Sequence, residues 1–182
     1  MNLLNQNNTL AMLIDVQEKL APAIEHHENI LSRILFLSQA LNILQIPLLI
    51  TEQYPKGLGR TLPILRGSIE AVATFEKTEF SAYLNQEIKQ ELIRQNKKQI
   101  ILIGIETHVC ILQTAYQLQR HGYEVFIPQD TTGSRHQDNK ANALKRLSLN
   151  QITITNSESC VFELMESSTH PKFKEISKLI KT

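Results

Sequence analysis

Residues 99–105 run Gln99-Ile100-Ile101-Leu102-Ile103-Gly104-Ile105. An apolar run this short, rich in β-branched side chains, suits a strand buried on both faces, as in a parallel sheet. From about His108 to Arg120 the spacing predicts a helix. His121-Gly122 stops it, because glycine readily takes the left-handed conformation that ends a helix. Residues 123–128 then form a further strand. A strand, a helix and another strand in this order make a βαβ unit, whose crossover is right-handed and whose sheet is parallel.

The same alternation extends in both directions. Upstream, residues 9–15 form a nearly continuous apolar strand ending in Asp15. A helix at 26–45 carries Ile30, Leu31, Ile34, Leu37, Leu41 and Leu44 at three- and four-residue spacing. Strands follow at 46–51 and 71–75, and a helix at 85–95 with Asn85 as its cap. Between these two strands, residues 52–67 read as a long loop with three glycines and two prolines. Such loops are often functional. Downstream lie a polar loop at 129–137, a helix at 138–147, a strand at 151–155, and helices at 157–165 and 171–180. The pattern predicts one domain over residues 1–182, with a three-layer α/β/α fold around a mainly parallel sheet of about six strands.

Composition narrows the function. The 182 residues hold 19 Lys+Arg against 18 Asp+Glu, and neither half carries a basic block. No nucleic-acid or anionic-membrane partner is therefore expected. At 42% hydrophobic the chain is too apolar for disorder, and no apolar run nears the roughly 20 residues that span a bilayer. The N-terminus lacks a basic segment ahead of an apolar stretch, so a cytoplasmic location is expected. Two cysteines, Cys110 and Cys160, are too few for a disulfide framework.

Ligand sites of open parallel sheets lie beyond the C-terminal strand ends. Three reactive side chains fall there: Asp15, Lys77 and Cys110. A cysteine near a helix N-terminus, beside an ammonium, is expected to favour its thiolate. A carboxylate can take the thiol proton and return it to a leaving group. Spacing alone leaves each residue an ordinary alternative: a capping Asp, a solvated Lys, a packed Cys.

These segments resemble the isochorismatase-like cysteine hydrolase superfamily, and within it the small isochorismatase domain-containing proteins. The resemblance rests on Ala11-Met12-Leu13-Ile14-Asp15-Val16-Gln17, Thr51-Glu52-Gln53-Tyr54-Pro55-Lys56-Gly57, Glu76-Lys77-Thr78-Glu79-Phe80-Ser81 and Gly104-Ile105-Glu106-Thr107-His108-Val109-Cys110. It implies a triad in which Asp15 is the base, Lys77 the activating cation and Cys110 the nucleophile. It also implies a cis peptide between Ile105 and Glu106, turning the Glu106 N–H toward an oxyanion beside the Cys110 N–H.

The loop after the second strand has no histidine, so the metal of nicotinamidases in this superfamily is not expected, nor is any other cofactor. The expected activity is hydrolysis of a small amide-like C–N bond through a thioester. Vinyl-ether hydrolysis, nicotinamidase activity and a non-catalytic assembly role are the alternatives. Gln17, Tyr54, Phe80 and His108 are candidates for substrate contact, and Cys160 for packing. Members of this kind commonly assemble, so a homo-oligomer is expected.

Overall fold

A computed structural model of the chain describes residues 3–180. Met1 and Asn2, which open the stretch examined for a leader signature, lie outside the described residues, as do Lys181 and Thr182. Strands β1 (Thr9–Ile14), β2 (Leu48–Gln53), β3 (Ala73–Lys77), β4 (Gln99–Ile105), β5 (Glu124–Pro128), β6 (Thr132–Gly133) and β7 (Thr153–Thr155) alternate with helices. The helices are α1 (His27–Ile43), α2 (Pro55–Leu58), α3 (Pro63–Arg66), α4 (Gln86–Gln95), α5 (Leu112–Arg120), α6 (Gln137–Leu149), α7 (Ser157–Met165) and α8 (Phe173–Ile180).

All the strand pairings are parallel, in the order β3-β2-β1-β4-β5-β7, with β6 also paired to β4. Every residue of β1 and β4 is buried, as strands covered on both faces require. Alternate side chains divide into two cores. Ala11, Leu13, Ile101 and Ile103 face α1, α7 and α8. Leu10, Met12, Ile100 and Leu102 face α4, α5 and α6. The chain leaves β1 in one direction, through β2 to β3, and resumes on the other side with β4. The β1–β4 boundary is thus the topological switch point, with a crevice outside its strand ends.

Three local features differ from the sequence expectation. The loop at 52–67 is partly ordered: β2 runs on to Gln53, and Pro55 and Pro63 each start a short helix, where a missing N–H costs nothing. The polar loop at 129–137 contains one strand beyond the expected six, β6, which pairs Gly104 with Thr132 and Ile105 with Gly133 where β5 no longer reaches β4. Two residues are too few to show periodicity. The helix expected at 108–120 begins instead with a π turn, Thr107–Ile111, before α5 proper.

Gly104 sets how closely β4 approaches β1. Its φ is 131°, and a Cβ placed there would lie 2.2 Å from the Ile14 carbonyl oxygen. Gly104→Ala should therefore destabilise the protein by roughly 2 kcal/mol or more, from the forbidden backbone angle and the forced strand separation. An unchanged midpoint in urea denaturation would contradict this role.

Candidate active site

Asp15 directly follows β1 and takes the left-handed conformation, φ 56°. Aspartate tolerates this better than most residues, and the turn brings its carboxylate to the sheet end. The register then supplies its partners. Ile14 pairs with Thr51, and the Thr51 hydroxyl donates to Asp15 Oδ1 at 2.7 Å. Gln53 pairs with Lys77 at the far edge of the sheet. The long Lys77 side chain crosses β2 and donates from Nζ to Asp15 Oδ2 at 2.6 Å. Nζ also donates to Gln53 Oε1 at 2.6 Å and to the Glu79 carbonyl at 3.2 Å. An ammonium has three N–H donors, and all three are used. Both side chains of the pair are fully buried.

Cys110 lies in the π turn after β4 and is 5% exposed. Its thiol lies within electrostatic reach of the Asp15 carboxylate, the Lys77 ammonium and Glu106. The expected thiolate is absent at rest: burial first, then the Asp15 charge, push the thiol up to about 12 against the smaller pull of Lys77. The helix-terminus argument fails because Cys110 precedes the first residue of α5 and sits in an apolar wall. At neutral pH the Cys110 thiol is therefore protonated.

This makes a pH prediction. A pKa raised from 9 to about 12 means that only about one thiol in 10⁵ is ionised at pH 7. Alkylation of Cys110 should be slow at neutral pH and rise about tenfold per pH unit to beyond pH 10. A plateau near pH 8, read by intact mass, would contradict the raised value.

The corner between β4 and the π turn also departs from expectation. The Ile105-Glu106 peptide is trans, since the described residues contain no cis bond; the turn is made instead by Glu106 in the left-handed region, φ 56° and ψ 57°. The Glu106 side chain is buried beside the thiol. Arg135 Nε stands 2.8 Å from Oε1 and His108 Nδ1 stands 3.3 Å from Oε2. His108 Nδ1 is also 3.0 Å from Ser134 Oγ. Among the described residues no three His, Cys, Asp or Glu side chains are grouped to hold a metal ion.

The isochorismatase domain model matches residues 9–159. The chain belongs to the isochorismatase family. It is 39% identical over 178 residues to isochorismatase domain-containing protein 2 of Danio rerio, spanning 97% of this chain and 89% of that protein. Isochorismatase domain-containing protein 1 of Danio rerio is 42% identical over 168 residues, which cover 92% of this chain but 59% of that longer protein. Among solved structures, the MAR1 ribonuclease of Caenorhabditis elegans superposes with a TM-score of 0.94 at 37% identity, covering 100% of this chain and 93% of that one. Family membership makes the chain a hydrolase by class.

Within this isochorismatase-family site the remaining candidates separate. Gln17 is fully buried and its amide is committed to backbone: Nε2 donates to the Gln53 and Gly59 carbonyls, and Oε1 accepts from the Gln53 N–H at 2.7 Å. It ties the β1 end to the β2 loop and has no free group for a substrate carbonyl. Tyr54 is exposed and lines a hollow of about 280 Å³ with Lys56, Glu76, Lys77 and Glu79. Phe80 is exposed on the loop after β3. Cys160 is fully buried against α1, and both cysteines are free. Sequence reasoning missed Thr51 and Gln53, which steady Asp15 and Lys77. The extension of β2 to Gln53 would have placed both on one face of the strand. It also missed the Glu106 carboxylate, Ser134 and Arg135, for which no spacing rule exists.

No described helix is long and apolar enough to cross a membrane.

Proposed function

We propose that this isochorismatase-family hydrolase cleaves a small amide-like C–N bond through a thioester on Cys110, with Asp15 and Lys77 completing the triad and no metal taking part. The observation that carries the reading is the arrangement around Asp15: Lys77 Nζ donates to one carboxylate oxygen at 2.6 Å, Thr51 to the other at 2.7 Å, and the Cys110 thiol lies close enough for the Asp15 charge to act on it. As sulfur attacks the carbonyl carbon, the thiol proton passes to Asp15. The oxyanion is received by backbone N–H groups of the Glu106–Cys110 turn. Collapse breaks the C–N bond, and protonated Asp15 returns its proton to the departing nitrogen. Water then attacks the thioester with Asp15 as base, the C–S bond breaks, and the thiol is regenerated alongside the acid. Lys77 keeps the Asp15 carboxyl group oriented throughout, which is positioning without proton transfer. The histidine-free loop 52–57 supports the metal-independent form.

The test is intact-mass trapping across small amides, carbamoyl compounds and vinyl ethers. The expected result is an acyl adduct on Cys110, absent in Cys110→Ala. Turnover of an amide with no adduct, retained in Cys110→Ala, would refute the mechanism. The Caenorhabditis elegans relative, a ribonuclease by name, supports a second reading, cleavage of RNA. Near-zero net charge and the buried carboxylates of Asp15 and Glu106 oppose a polyanionic substrate. An RNA oligonucleotide in the same panel should stay intact.

Tyr54 and Phe80 expose aromatic rings beside this site, which supports a homo-oligomer in which a neighbouring copy covers them. Light scattering should return more than one chain per particle, and a monomer would refute this. Two buried, unpaired thiols suit the reducing cytoplasm.

A further inference from the structure

The hydrolytic cycle engages the Glu106 backbone and gives its carboxylate no task. That carboxylate is 7% exposed, and both of its oxygens are buried without a hydrogen-bond partner. Its two neighbours approach without completing a bond, and of the two only Arg135 carries a fixed charge. Arg135 Nε approaches to 2.8 Å, but its N–H is not aligned on the oxygen. His108 Nδ1 lies between Glu106 Oε2 at 3.3 Å and Ser134 Oγ at 3.0 Å. One ring nitrogen carries at most one proton, so bonding to Ser134 leaves nothing for Glu106. A buried carboxylate short of donors is costly, and buried acceptors in folded proteins are nearly always satisfied. Donors brought from outside the chain would satisfy both oxygens. The place they would occupy borders the thiol: Glu106 is four residues before Cys110 across one turn, and its charge opposes ionisation of that thiol. Arg135 already offsets the charge, so the deficit is one of N–H donors and not of cations.

We propose that Glu106 is a specificity-determining residue, its carboxylate accepting N–H bonds from the substrate and so selecting neutral, N–H-rich molecules of the primary carboxamide or ureido type. A carboxylate product offers this group no N–H donor, which favours its release. This rests on the reading of Cys110 as nucleophile and adds a substrate class to it.

The test uses three alkylating probes that differ in N–H content: iodoacetamide, N,N-dimethyl iodoacetamide and iodoacetate. Modification of Cys110 is followed by intact mass and peptide mapping, with each rate divided by that of a small free thiol. In the wild-type protein the normalised rate should be roughly tenfold higher for iodoacetamide than for its dimethyl analogue, and lowest for iodoacetate. In Glu106→Gln the absolute rates should rise, because a charge opposing ionisation is gone, while the preference collapses toward unity. No discrimination in the wild-type protein, whatever the variant does, overturns the proposal and leaves Cys110 as nucleophile untouched. A preference that survives in folded Glu106→Gln overturns it as well. Failure of Cys110 to react with any probe up to pH 10 would remove the nucleophile itself, and the Glu106 role with it.

Discussion

Cys110→Ala should lower turnover by roughly 10⁴-fold or more while the protein stays folded. Without the sulfur no thioester forms, and what remains is Asp15 acting on water near a bound carbonyl. Removing the nucleophile from a hydrolytic triad leaves only such residual binding and polarisation, a loss of four to six orders of magnitude in well-behaved cases. The structural cost is small by comparison. One sulfur leaves a wall that is 5% exposed, which calls for about 1 kcal/mol of cavity and lost packing. Asp15 loses the thiol but keeps its bonds from Thr51 and Lys77. Cys110→Ser separates the two effects. It restores a donor to Asp15 and nearly the same volume, yet a hydroxyl is a far weaker nucleophile, so it should be as stable as wild type and still severely impaired. The measurements are kcat on whichever amide yields an adduct, and the urea midpoint of each variant. More than a tenth of wild-type kcat in Cys110→Ala would end the covalent reading.

How much of this was readable from the chain depends on how local each determinant is. β4 was found to the residue because the fully buried strand writes its burial into its own seven side chains. Asn85 was found as a cap because capping is a contact two and three residues long, here to the Glu87 and Ile88 N–H groups. The parallel sheet covered on both faces followed from alternation, whereas the strand order that brings the ends of β1 and β4 together did not. The charge state of Cys110 was not readable. The rule for helix termini assumes a thiol at an open N-terminus, whereas the turn that buries this one is a π turn, whose apolar spacing resembles an α-helix over five residues. The carboxylate of Glu106 escaped because its partner Arg135 lies a helix and two strands further along the chain. The trans bond at Glu106 shows a further limit. A resemblance transfers side chains residue by residue, but the backbone at a corner has two ways to turn, and here a left-handed residue makes the turn. Lys77 is intermediate. Its position past a strand was visible, and its reach across β2 to Asp15 is a property of the register.

The second large effect concerns that reach. Lys77→Met should destabilise the protein by about 3–5 kcal/mol, the cost of breaking a fully buried ion pair by removing one partner. The methionine fills much of the volume, so packing contributes little. The loss comes from three acceptors left without their donor: Asp15 Oδ2, Gln53 Oε1 and the Glu79 carbonyl. The first is a carboxylate with 0% side-chain exposure, and it weighs most. Domains of this size are stable by only about 5–15 kcal/mol, so the single variant should melt far below wild type and express poorly. Stability and catalysis can be separated by removing the stranded charge. In Lys77→Met with Asp15→Asn the carboxylate is gone, and an amide of the same shape can still accept from Thr51. The double variant should regain most of the lost stability and remain inactive, because no base is left to take the Cys110 proton. Urea denaturation of the wild type, both single variants and the double variant gives the coupling directly. A coupling near zero would mean that Lys77 and Asp15 do not depend on one another, and the placement of Lys77 as the group that holds the base would fall.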